Sequence, residues 1–158
     1  MSIVLTSQGI AFLHAGSEFL RTKNGNENSY NAGDSINAID WNLKSVNRDH
    51  YNYMRQLISL RKNQPLFRLK TGKEIREQIR FLDNSSPSII AYTITGGKQQ
   101  GKWKSVLLYF NGGSEPVKTT LPGGKWNSYI QGNRVSVKSL ATKETMIAPF
   151  SCSIFYIE

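Results

Sequence analysis

The hydrophobic pattern of the chain changes character twice. Near the start, the apolar run Ile10-Ala11-Phe12-Leu13 predicts a strand over residues 9–15, after a helix end and a turn over residues 1–8. Residues 16–45 are polar and rich in Asn, Gly and Ser, with Asn24-Gly25 and Ala32-Gly33-Asp34 as turn signals. Loops this long are usually functional or disordered. This one also carries Tyr30, Ile36, Ile39 and Trp41, enough apolar surface to pack down on a partner. A buried strand opening into a long polar loop is the pattern of the ligand-facing end of a parallel α/β sheet or barrel. A parallel strand needs neighbours and none comes before it, so the expectation is a piece of a larger protein.

Helical periodicity follows. A helix is predicted from Val46 or Asn47 to Lys62, with Asn47 as N-cap, Asp49 in the first turn and Pro65 beyond its end. Its apolar stripe reads Tyr51, Met54 and Ile58, widened by Leu57. A second helix starts at a capping box, Thr71 with Glu74 three residues on. Its face is Ile75, Ile79 and Leu82, and Asp83-Asn84-Ser85-Ser86-Pro87 ends it.

From Ser88 the period becomes that of strands. Seven are predicted, over 88–95, 105–110, 115–121, 125–131, 134–138, 143–148 and 152–157. They are separated by Gly96-Gly97, Asn111-Gly112-Gly113, Gly123-Gly124 and Gly132-Asn133. Seven short strands with Gly-rich turns predict a mainly β fold, an antiparallel sandwich. The boundary between the two regions falls near Gln64–Gly72, giving two units, 1–64 and 65–158.

Composition adds little to this and removes some alternatives. With 39% hydrophobic and 20% charged residues the chain has an ordinary globular balance. No apolar run reaches the ~20 residues of a membrane-spanning helix. The opening residues lack the basic and apolar regions of a signal peptide. The single cysteine, Cys152, lies in an alternating apolar run and reads as a buried small hydrophobe. It leaves the compartment open. The net charge of +9 raises nucleic acid as a partner. However, Lys98, Lys102, Lys104, Lys118, Lys125, Arg134, Lys138 and Lys143 are scattered along strands, as on solvated faces and protected sheet edges. The expectation is no nucleic acid, no membrane, no metal and no cofactor.

The candidate chemistry lies in the first forty residues. His14 ends the predicted strand, where a barrel would place a site group; His50 reads as structural or exposed. Glu18, Glu27, Asp34 and Asp40 surround the strand and loop. Glycoside hydrolysis needs two carboxylates held at a fixed separation, which a loop alone does not supply. Glu18 reads instead as an acceptor for loop backbone N–H groups. Arg21, Asn24, Asn26, Asn28, Tyr30, Asn31 and Asn37 offer the amide, guanidinium and phenol groups of a sugar cleft. They are equally the residues of a plain polar loop.

The stretch from Gly9 to Phe19, GIAFLHAGSEF, resembles the strand-8 motif of the α-amylase superfamily, glycoside hydrolase family 13, written roughly G-x-P-F-x-x-x-G-x-E-F. Leu20-Arg21-Thr22-Lys23, Asn28-Ser29-Tyr30-Asn31-Ala32-Gly33-Asp34, Ile36-Asn37 and Ile39-Asp40-Trp41 are similar to type I pullulanases and amylopullulanases. Leu57-Ile58-Ser59-Leu60-Arg61-Lys62 with Pro65-Leu66-Phe67-Arg68 resembles the last barrel helix and its exit. Ile90-Ala91-Tyr92-Thr93, Leu108-Tyr109-Phe110-Asn111-Gly112 and Thr120-Leu121-Pro122-Gly123-Gly124-Lys125-Trp126 resemble the C-terminal β-sandwich of the superfamily. Ala11 departs from the usual proline, and Ser17 from the usual acidic or amide residue.

The resemblance implies a C-terminal portion of a debranching hydrolase acting on α-1,6-glucosidic bonds of starch, glycogen or pullulan. It comprises a remnant of the last strand–loop–helix unit of a (β/α)8 barrel, then the sandwich. The partner is the upstream barrel of the same parent chain, and α-glucan is the parent's substrate. A secreted or cell-surface parent fits the resemblance without being implied by it. The family's Asp nucleophile, Glu acid/base and stabilising Asp would all precede Met1. No catalytic residue is therefore assigned, and the chain alone is expected to be inactive. Arg21, Asn28, Tyr30 and Asp34 match the loop bordering the glucan cleft and are the substrate-lining candidates. The alternative function is an α-glucan-binding module that stacks sugar on Trp103, Trp126, Tyr109 or Tyr129. Against it, Trp126 and Tyr129, three apart on a strand, would face opposite sides.

Overall fold

The computed structural model describes residues 1–83, 86–96, 101–139 and 143–158. Asn84, Ser85, Gly97 and Lys98, which figured in the sequence reading, lie outside the described residues. Among the described residues five α-helices come first: α1 (Ser2–Thr6), α2 (Asp34–Asn37), α3 (Leu43–Val46), α4 (Arg48–Asn63) and α5 (Gly72–Gln78). Eight strands follow: β1 (Ile79–Phe81), β2 (Ile89–Thr95), β3 (Ser105–Asn111), β4 (Val117–Thr120), β5 (Asn127–Gln131), β6 (Arg134–Ser139), β7 (Glu144–Ile147) and β8 (Ser151–Ile157). The seven predicted strands are all present. The eighth, β1, corrects the second helix. Thr71 and Glu74 do form the capping box, but the helix stops at Gln78, and Ile79 passes into the strand. Three apolar residues at helical spacing also suit a helix turn followed by a strand, and pairing of Ile79 with Ile94 and Phe81 with Tyr92 decides the matter.

The strands form a six-stranded antiparallel sheet, β1-β2-β3-β8-β5-β6, and a two-stranded sheet, β4-β7. The central strands β3 and β8 have both faces covered. Val106, Leu108, Phe110, Cys152, Ile154 and Tyr156 point to one core, shared with Leu5, Met54, Leu57 and Leu60 of α1 and α4. Leu107, Tyr109 and Phe155 point to the other, shared with Leu121, Trp126 and Ile147 on the side of the small sheet. Such strands read as continuous apolar runs, as SVLLYFN does. Buried Asn111 ties the sheets together: its Nδ2 donates to the carbonyls of Glu115 (2.8 Å) and Ala148 (3.1 Å). The arrangement is an open sandwich with a helical layer on one face. Cys152 is a free, buried thiol, pushed up to about 12 chiefly by burial.

α4 departs from expectation in its cap bond and in part of its buried face. Asn47 stands at the N-cap position, as predicted, but its side chain makes no cap bond and instead donates from Nδ2 to the Phe19 carbonyl at 3.0 Å. Met54 and Leu57 of the predicted stripe are buried, but Tyr53 and Leu60 complete the buried face in place of half-buried Tyr51 and of Ile58, which is 37% exposed. That is a rotation of roughly 100°, one residue step, from the predicted face. The periodicity ranks side chains by hydrophobicity, but the surface that α4 packs on chooses among them.

The predicted strand over 9–15 is also corrected. Burial alternates as in a strand, with Ala11 and Leu13 packed on the core and Ile10 and Phe12 exposed. Yet among the described residues no strand pairs with it. A ladder needs a neighbouring strand, and the sheet of this chain lies elsewhere.

Candidate functional site

The loop after this segment is built by its own polar side chains. Gly16 adopts φ 91°, and its N–H donates to Glu18 Oε2 at 3.0 Å, the role read for Glu18 from sequence. A one-turn 3₁₀ helix, Ser17–Phe19, then buries Phe19, whose ring lies 5.6 Å from that of Trp41. The chain reverses through Leu20 at φ 63°, and the Arg21 N–H returns to the Gly16 carbonyl at 2.9 Å.

Asn37 is the hub of the remainder. Its Nδ2 donates to the Ser29 carbonyl (2.6 Å), and its Oδ1 accepts from Lys23 Nζ (2.7 Å), which also donates to Ser29 Oγ (2.6 Å). The Asn37 carbonyl accepts from Arg21 Nη2, and the Ala15 carbonyl from Arg21 Nη1 at 3.4 Å. Arg21 is therefore engaged inside the loop. Asn28 and Tyr30 flank Ser29 and are exposed, Tyr30 to 83%. Asp34 opens α2 and is also exposed. The network thus joins Arg21 to the segment carrying the other three candidates, and these three face solvent. Sequence reading missed the structural role of Lys23 and Ser29. The one signal was a lone lysine placed before a run of hydrogen-bonding Asn and Ser.

His14 is exposed. His50 is half-buried, its Nε2 enclosed without a partner, and burial holds its imidazole below the usual histidine range. Among the described residues no group of three His, Cys, Asp or Glu is placed to hold a metal. A recess of about 590 Å³ lies away from the loop, between α1, α4 and the ends of β2, β3 and β8. No carboxylate lines it, and Tyr53 and Ser2 bind each other across it (2.9 Å). It offers no acid–base pair for glycoside hydrolysis.

The aromatic residues of the binding-module alternative are core residues. Trp103, Tyr109 and Trp126 are buried, and Tyr129 meets Trp103 edge-on at 5.3 Å. Trp126 packs in the small-sheet core and Tyr129 on the helical side, so they face apart.

Residues 75–134 match the pullulanase all-beta domain family. The pullulanase of Bacillus subtilis (strain 168) is 37% identical over 121 residues, covering 77% of this chain and 17% of that protein. The isoamylase of a Flavobacterium species is 26% identical over 149 residues, covering 80% of this chain and 19% of its own length. The solved pullulanase from Bacillus acidopullulyticus superposes with a TM-score of 0.90 at 34% identity, over 99% of this chain and 19% of its own.

Over most of its length the chain is similar to one part of the pullulanases.

It spans about a fifth of the length of these relatives. The pullulanase resemblance therefore extends to the loop and helix as well as to the sandwich.

Proposed function

We propose that the chain forms the C-terminal portion of a starch-, glycogen- or pullulan-debranching glycoside hydrolase. Residues 1–64 supply the last strand, loop and helix of a (β/α)8 catalytic barrel, and residues 65–158 form the sandwich that steadies it. The observation that carries this reading is the segment before the loop. Ile10 is 99% and Phe12 85% exposed on an unpaired strand-like stretch whose other face is packed. A strand with two apolar faces belongs between two layers, and the upstream barrel of the same parent would provide the second.

In that setting Arg21, Asn28, Tyr30 and Asp34 border the α-glucan cleft: Asn28 and Asp34 meet hydroxyls, Tyr30 offers a ring face, and Arg21 holds the loop they stand on. The catalytic carboxylates belong to the barrel. A glucosyl–enzyme intermediate needs both a nucleophile and an acid/base, so the chain alone is inactive. Incubation with pullulan should release no reducing sugar, and clear release would overturn the proposal.

A further inference from the structure

The loop's position is held from one helix, at both ends. At the last turn of α4, the Arg61 guanidinium gathers four backbone carbonyls. Nη1 donates to Leu5 (3.1 Å), Ser7 (2.7 Å) and Phe67 (2.9 Å), and Nη2 to Gly9 (2.6 Å). Gln8 reinforces the same junction, with Nε2 on the Leu66 carbonyl (2.8 Å) and Oε1 accepting the Leu69 N–H (2.9 Å). Just before the first turn of α4, Asn47 holds the Phe19 carbonyl. From Asn47 to Arg61 the helix spans roughly 21 Å at 1.5 Å per residue. The ten-residue path from Gly9 to Phe19 can reach at most about 36 Å, long enough to run from one end of the helix to the other. Between these two points, residues 10–14 have no ladder of their own.

We infer that Arg61 and Asn47 are positioning residues: they make α4 a splint that sets where the strand-like segment and the polar loop stand relative to the sandwich. Only Arg can serve at position 61, because its planar fork presents several donors at fixed angles, whereas Lys offers one rotatable ammonium. Position 47 needs an amide donor, which Asp lacks. That the loop borders a glucan cleft rests on the function proposed above. The splint itself stands on these hydrogen bonds.

The test is hydrogen exchange by mass spectrometry on the chain, comparing wild type with Arg61→Lys, Asn47→Asp and the surface control Arg55→Lys. The amides of Gly16, Ser17, Phe19 and Arg21 are hydrogen-bonded and report on the segment. Losing hydrogen bonds of this kind should speed exchange over residues 9–21 by about tenfold or more, with β3 and β8 unchanged and the control like wild type. Unchanged exchange over 9–21 in both variants, or an equal rise everywhere, would overturn the inference. If Arg61→Lys does not fold, Asn47→Asp decides it by the same criterion. Neither result bears on pullulan hydrolysis, so the two proposals fail separately.

Discussion

Gly16 shows how much one residue can decide. Its φ of 91° lies in the region that favours glycine, and a Cβ there would sit 2.7 Å from both Cβ and Cδ of Arg21. Space and backbone conformation both demand glycine, and the Gly-x-Glu-Phe motif follows from that turn. His50 is a residue-scale probe of the same corner. Burial depresses its folded pKa below the unfolded value of about 6.5. The unfolded chain therefore takes up the proton first. The stability this contributes is full above the unfolded value and is lost as pH falls through it towards the folded value. The melting temperature should fall as the pH drops through about 6.5, and His50→Asn should flatten part of that slope. An identical slope in the variant would remove His50 as the cause.

At the scale of elements, α4 carries the most. Met54 and Leu57 are fully enclosed between the helix and the six-stranded sheet, where each large side chain contributes roughly 1.5–3 kcal/mol. Leu57→Asp should cost more than about 4 kcal/mol, since it removes that burial and adds an unpaired charge; a melting temperature equal to wild type would contradict this packing. The helix and the capping box were legible because they depend on residues three or four apart. The buried face of α4, the strand β1 and the true partner of Asn47 were not. Tyr53 and Leu60 outrank Tyr51 and Ile58 only because the sheet lies on their side, and Asn47 reaches Phe19 across 28 residues of sequence. Tyr51 finds another use, under the Lys44 ammonium at 4.8 Å from its ring centre.

At the scale of the molecule, three layers share two cores divided by one sheet. The aromatic residues a sugar platform would need are used inside: Trp103 stacks on Tyr156 at 4.2 Å, and Trp126 Nε1 donates to the Pro122 carbonyl at 2.9 Å. The chain should therefore run unretarded in native gels containing amylopectin, and marked retardation would revive a binding module, with exposed Tyr30 and Trp41 as the first residues to replace. The unit boundary near Gln64–Gly72, part of the proposed reading, does not interrupt the packing, because α1 and α4 share a core with β2, β3 and β8.

The strands after residue 88, the α4 helix, the Thr71–Glu74 cap and, through the motif from Gly9 to Trp41, the similarity to pullulanases can be read from the amino-acid order alone. These depend on period, on short spacing and on residue identity, all of which are local. Packing in three dimensions sets which face of α4 is buried, that Ile79–Phe81 leaves the helix for the sheet, and that Arg61 and Asn47 reach across to hold residues 5–9 and Phe19. Those outcomes depend on which surfaces meet and on which backbone carbonyls are left without a ladder, and a one-dimensional pattern carries neither.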